Sequence, residues 1–113
     1  MSIPDKYTID VMKKCIVFSD CDLDGIGSFL VFQWFTGLKN LEHEICSQSN
    51  FRKTFSAWSM KNKIEDYDKV YIFDLDVSQN NLDLVDHKNV SIVDHHETHV
   101  QNKDKYKKAT TIL

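Results

Sequence analysis

The stretch CIVFSDCDLDGIGS, residues 15–28, changes character halfway along. Cys15 to Phe18 is a short continuous apolar run bounded by polar residues, which reads as a buried strand. Asp20, Asp22 and Asp24 then stand at alternate positions, with Gly25-Ile26-Gly27-Ser28 directly behind them. Residues 28–38 are apolar at almost every position except Gln33, Thr36 and Gly37. Their length and the glycines ahead of them predict a buried helix with its N-terminus near Gly25. A strand, an acidic turn and a helix therefore follow one another, with the charge at the strand's carboxyl end. Three carboxylates this close repel, so a folded chain keeps them only where a cation offsets the repulsion or where all stay in water.

The same alternation continues along the chain. Residues 43–46 make a weaker strand, and Asn50 stands where it would N-cap a helix. In that helix Phe51, Phe55 and Trp58 form an apolar stripe with Arg52, Lys53 and Lys61 off it, so the aromatics are expected in the core. Lys69–Phe73 is rich in β-branched and aromatic residues and ends at Asp74, after which Ser78 is placed to cap a short helix through Leu84. Val90–Val93 is a further strand and ends at Asp94-His95-His96. The last residues, 109–113, read as the start of a helix. Strands alternating with helices predict an α/β fold: a three-layer arrangement of parallel βαβ units with about four to five strands in a mainly parallel sheet flanked by helices. In such sheets ligands gather at the carboxyl ends of the strands, so the aspartates after Phe18, Phe73 and Val93 are expected to converge.

With 113 residues the chain has room for one hydrophobic core, and residues 1–113 are read as a single domain. An apolar share of 42% with 12% aromatics sets it apart from disordered chains, which are poor in both. No apolar run reaches the roughly 20 residues that span a bilayer and the N-terminus has no signal-peptide pattern, so a cytoplasmic location without membrane association is expected. Cys15, Cys21 and Cys46 are odd in number and form no C-x-x-C pair, which suits reduced thiols. The net charge of −3 is unevenly placed: Asp20, Asp22, Asp24, Asp74, Asp76 and Asp94 carry six negative charges, so the rest of the chain sums to +3. Lys103, Lys105, Lys107 and Lys108 read as a solvated stretch.

Hard divalent cations choose carboxylate oxygens, and a neighbouring histidine tilts the choice from Mg²⁺ toward Mn²⁺. The candidate ligands are the Asp20/Asp22/Asp24 loop, Asp74 with Asp76, and Asp94-His95-His96. So many carboxylates suit two cations, held about 4 Å apart to clamp a phosphate and activate water.

Three ordered motifs carry a resemblance to a known family. Asp20-x-Asp22-x-Asp24-Gly25-x-x-Ser28, the apolar strand ending at Asp74, and Asp94-His95-His96 after Val-Ser-Ile-Val resemble the first three motifs of the DHH phosphoesterases, the first being closest to the RecJ-type single-strand exonucleases. The resemblance runs from about residue 14 to residue 113. It implies a DHH-type, Rossmann-like domain in which Asp22, Asp24, Asp74 and His95 ligate metal, joined by Asp20, with Asp74 bridging. Asp94 and His96 would support these ligands or contact the scissile phosphate as catalytic groups, and Asp76 is a second candidate for the role of Asp74. Ser28 and Gly25 would contact phosphate, with simple helix capping the other reading of Ser28. The implied cofactor is Mn²⁺ or Mg²⁺, two ions when the site is complete. The implied activity is hydrolysis of a phosphodiester or phosphoanhydride in nucleotides, short oligonucleotides or single-stranded nucleic acid. Members of the family carry a fourth metal-binding aspartate downstream and a C-terminal substrate-binding domain, and this chain ends before both. It is therefore read as the N-terminal part of such a domain. The alternative is a binding, decoy or split-subunit module without turnover of its own, completed by a second copy or a partner subunit.

Other readings of the same residues are weaker. Asp20-x-Asp22-x-Asp24-Gly25 opens like an EF-hand loop, but the twelfth position is Val31 where a bidentate glutamate is needed. Phe73-Asp74-Leu75-Asp76-Val77 resembles the nucleophile motif of haloacid-dehalogenase-type phosphatases. His95, His96 and His99 suggest zinc, yet the surrounding aspartates favour a harder ion. His43 and His87 read as surface residues, and Cys21 as a bystander.

Overall fold

The structure, a computed structural model, describes residues 14–37, 41–79 and 81–113, with only the backbone described at Leu23, Asp24, Gly25 and Phe35. Five strands, β1 (Cys15–Asp20), β2 (Leu41–Cys46), β3 (Lys69–Phe73), β4 (Val90–Val93) and β5 (Thr110–Ile112), form one sheet. The longer helices are α1 (Leu23–Thr36) and α2 (Phe51–Lys61); α3 (Leu82–Val85) and α4 (Glu97–Gln101) are short. The strand order is β2-β1-β3-β4-β5 and every pairing is parallel. The expected α/β architecture is thus present.

Direction across the sheet reverses once. The chain steps from β1 outward to β2, then returns past β1 to β3, and right-handed crossovers on opposite headings place α1 and α2 on opposite faces. The two apolar clusters agree. On the α2 face, Ile16 and Phe18 of β1 meet Val70 and Ile72 of β3, Ile92 of β4, and the Phe51, Phe55 and Trp58 stripe, as its spacing predicted. Phe18 lies 4.9 Å from Phe55 and 5.3 Å from Trp58, ring centre to ring centre. Each such fully buried aromatic contributes about 1.5–3 kcal/mol by transfer alone. On the other face, Val17 and Phe73 pack against Phe29 of α1.

Several local expectations are corrected. The first helix starts at Leu23 and runs through both glycines, because the Ile26 N–H already closes a turn on the Asp22 carbonyl. It is not buried throughout: Phe29 faces the sheet, whereas Leu30, Val31 and Trp34 are exposed, Trp34 at 83%. Asn50 occupies the N-cap position of α2 without a side-chain cap bond; its Oδ1 accepts the Ser47 N–H at 2.7 Å instead. Ser78 caps nothing, since α3 begins only at Leu82. Residues 110–112 are an edge strand and not a helix. The Asp86 carboxylate accepts the backbone N–H groups of Lys107, Lys108 and Ala109 at 2.8–2.9 Å and thereby steers the chain onto β4, where two β-branched threonines suit a strand. His43 is half-buried, stacked on Phe29 at 3.6 Å and bonded to Ser19 at 2.5 Å, and burial holds its pKa below the usual value. His87 is likewise partly buried. Among the described residues no helix is long and apolar enough to cross a membrane.

Candidate metal centre

The strand register builds the site. Ser19 of β1 pairs with Phe73 of β3, and Phe73 with Val93 of β4, so the next residues along, Asp20, Asp74 and Asp94, succeed one another across three adjacent strands. Strands stand about 4.8 Å apart, which brings carboxylates distant in sequence into one row. The ladder persists at this row: the Asp74 N–H donates to the Val93 carbonyl at 3.0 Å and the Asp94 N–H to the Ile112 carbonyl at 3.1 Å. Sheet order reverses between β1 and β3, and a crevice at the carboxyl ends beside such a switch is where open α/β sheets bind ligands.

Asp74 has φ +59°, the left-handed region, and is the one described residue other than glycine to do so. Aspartate tolerates this conformation better than a β-branched residue, and the turn takes the chain out of the strand immediately after Phe73. The Asp74 side chain is 14% exposed, accepts a hydrogen bond from Ser28 Oγ at 3.1 Å, and has Oδ1 3.5 Å from His95 Nδ1. Ligand atoms of Asp74, Asp94 and His95 all lie within 4.8 Å of one another.

Asp94 is the most enclosed member. Its Oδ1 is 2.6 Å from His96 Nδ1, and its Oδ2 is 2.8 Å from His99 Nδ1. Burial alone would raise the Asp94 pKa, but the bonds from His99 and His96 hold it below the usual value, so the group is an acceptor-only carboxylate. Both Nδ1 atoms must therefore carry the proton. His99 is fully buried and its Nε2 lies 2.6 Å from the Tyr106 hydroxyl, which burial pushes toward its protonated form; that hydroxyl donates to His99. The chain Tyr106–His99–Asp94–His96 thus fixes the His96 tautomer and leaves His96 Nε2 without a partner among the described residues. This is the arrangement of an imidazole oriented by a carboxylate, which serves proton transfer or ligation equally.

Asp76 stands apart from Asp74 and His95, though its Oδ1 lies 3.7 Å from the His99 Nδ1 that serves Asp94. One oxygen accepts the Ser78 N–H at 3.0 Å and Ser78 Oγ at 2.6 Å, and the other accepts Thr98 Oγ at 2.5 Å. Burial would raise its pKa, yet the Ser78 and Thr98 bonds hold it below the usual value. Its backbone is clamped by Gln48, which accepts the Asp76 N–H at 2.8 Å and donates to the Asp76 carbonyl. Asp74, not Asp76, joins Asp94 and His95.

The first loop is looser. Asp20 Oδ1 accepts the Cys21 N–H at 2.7 Å, and Asp22 and Cys21 are exposed. The Asp24 side chain and the Gly25 position, both expected at the site, lie outside the described side chains. Ser28 sits in the second turn of α1, so it neither caps the helix nor stands at its N-terminus; its hydroxyl points at Asp74. Cys46 is buried beneath this loop, and burial, reinforced by the Asp20 charge, pushes its thiol up to about 12, which makes it inert.

The sequence reading missed His99 as a support and Tyr106 altogether. His99 falls one helical turn after His96, a spacing that brings the two rings toward one carboxylate; Tyr106 carried no local signal. Compared with protein-family models, curated proteins and solved structures, the chain matches none.

Proposed function

We propose that this carboxyl edge is the phosphate-cleaving site of a divalent-metal-dependent phosphoesterase of the DHH kind, acting in the cytoplasm on a phosphodiester or phosphoanhydride in a nucleotide, short oligonucleotide or single-stranded nucleic acid. The observation that carries this reading is the approach of Asp74, Asp94 and His95 within 4.8 Å at the carboxyl ends of β3 and β4, beside the switch point of a parallel sheet. The donor set fits the cation. Asp74 is an enclosed carboxylate with a single hydroxyl donor beside an imidazole, a mixed oxygen and nitrogen pair suited to Mn²⁺ more than to Mg²⁺. Asp74 and His95 would hold it, with Asp20, Asp22 and Asp24 supplying the ligands for a second ion. Bound there, such ions supply charge neutralisation for the phosphate and an acidified water.

The protein's own groups do the rest. Asp94, each oxygen already accepting from an imidazole, serves chiefly to support the site. His96, its Nδ1 committed to Asp94, presents Nε2 to the phosphate or to a proton in transit. Ser28 holds the Asp74 carboxylate in place. Cys15, Cys21 and Cys46 form no disulfide among the described residues and two of them are buried, which accords with a reducing compartment. The test is Mn²⁺-dependent hydrolysis of a p-nitrophenyl phosphodiester and a short oligonucleotide by the purified chain. Turnover that vanishes in Asp74→Asn supports the proposal, and turnover indifferent to that change refutes it.

One observation favours a second reading, a binding or split module. With Asp94 engaged by His96 and His99, the cluster offers chiefly Asp74 and His95 as ligands. Mn²⁺ binding without hydrolysis, restored to hydrolysis by a partner chain, would select it.

A further inference from the structure

A cavity of about 430 Å³ opens beside the site, within the usual size range of small-molecule pockets. Asp20 and His96 form the wall it shares with the catalytic edge, and Gln48, Gln79, Asn81 and Thr98 form the remainder together with Asp76. We infer that this cavity is the subsite for the uncharged part of the substrate, a nucleoside presenting its own hydrogen-bond donors and acceptors. This rests on the phosphoesterase reading and narrows it, from phosphoesters and phosphoanhydrides together to the phosphoester of a nucleoside.

Charge decides against a second phosphate. No lysine or arginine lines the cavity among the described residues, while Asp76 flanks it beyond the wall of Asp20 and His96, so a polyphosphate chain reaching past the metal edge would meet a carboxylate and no side-chain cation. Carboxamides offer what a nucleoside needs: each carries donors and an acceptor, the pattern that pairs with base edges and sugar hydroxyls. Gln48 is locked by its two bonds to the Asp76 backbone and forms a fixed wall. Asn81 is the informative residue. It is 7% exposed, lines the cavity, stands at the N-cap position of α3 without making a cap bond, and its Oδ1 has no hydrogen-bond partner among the described residues. Buried carboxamide oxygens are ordinarily satisfied, so this one marks a position at the cavity wall where a donor is missing. Gln79 is exposed and lines the same cavity.

The experiment follows the side-chain amide signals of Asn81 and Gln79 in the full, isotopically labelled chain by NMR, without metal and without turnover. Adenosine, ribose and inorganic pyrophosphate are titrated separately. Adenosine is expected to shift both signals while pyrophosphate leaves them in place, and Asn81→Ala should weaken adenosine about five- to tenfold, the loss of one hydrogen bond. A matching response to ribose assigns the recognition to the sugar and a silent ribose assigns it to the base; each supports the inference. Should Asn81→Ala fail to fold, Gln79→Ala, at an exposed position, is expected to show a smaller weakening. Adenosine that moves neither signal, or pyrophosphate that moves them equally, overturns the subsite. Because no catalysis is read, that failure leaves the phosphoesterase proposal standing, and a silent Mn²⁺ assay leaves the subsite standing.

Discussion

At the amino edge of the sheet, Asn89 donates to the carbonyls of Ile64 and Tyr67 at 2.8 and 3.0 Å, the Tyr67 hydroxyl donates to Glu42, and Asp68 accepts the Lys14 N–H at 2.9 Å. At the carboxyl edge of the same strands, Asp20, Asp74 and Asp94 succeed one another in a row, and Asp74 sits in left-handed backbone with a lone hydroxyl donor. One edge closes its polar groups upon each other; the other concentrates negative charge and stores backbone strain. The contrast teaches which polar residues serve the fold and which burden it, because strain and like charge persist where a ligand repays them.

The largest expected effect lies at the burdened edge. Asp74→Asn should lower Mn²⁺-dependent hydrolysis by more than about 100-fold, beyond the range typical of residues that only support a ligand. Urea unfolding of the same variant should show no loss of stability, since a repelled carboxylate has been neutralised. A variant that unfolds easily would erase the distinction between the edges. Next come the residues beneath Asp94. His99→Gln should cost about 10–100-fold in turnover, and Tyr106→Phe less, as expected for groups that orient a ligand or an acid–base imidazole without touching substrate. The readout that separates orientation from mere stability is the ¹⁵N shift pattern of His96, which should report the Nδ1–H tautomer in the parent and a mixture in His99→Gln.

At the closed edge the balance reverses. Asn89→Ala should cost about 1–2 kcal/mol in urea unfolding, two carbonyls having lost their donor, and leave Mn²⁺ affinity unchanged. The smallest effect concerns Asp86, which lies away from both. Burial would raise its pKa, but three backbone N–H groups hold it below the usual value. A depressed carboxylate contributes stability that is complete above its unfolded pKa, about 3.9, and that is lost as pH falls through the folded value. Asp86→Asn should therefore lower stability slightly at pH 7, where the ionised carboxylate's contribution is complete, cost little once the pH has fallen below the folded value, and so flatten the acid limb below about pH 4.

Much of this was legible in the chain because local signals agreed. KVYIF and VSIV are β-branched or aromatic, each ends at an aspartate, and their alternation with helices implied a parallel sheet whose carboxyl edge would gather those aspartates. Asp94 and His96 were both assigned to the site, but their pairing with each other was not read from the sequence. What stayed hidden depended on distant partners. Residues 110–112 form a strand only because Asp86 delivers them to β4. Asp74 was the first candidate and Asp76 the second, and what separates them, the left-handed turn that sends Asp74 toward His95 and leaves Asp76 to Ser78 and Thr98, was not visible in the sequence. Tyr106 reaches His99 across a turn that no periodicity announced.

The most direct measurement is a calorimetric Mn²⁺ titration of three proteins: the parent, Asp74→Asn and Asn89→Ala. The account predicts binding in the parent, binding retained in Asn89→Ala despite its lower stability, and binding abolished in Asp74→Asn despite its intact fold. Equal affinity in the parent and Asp74→Asn, or no binding to the parent at all, would contradict the claim that the carboxyl edge is a metal centre.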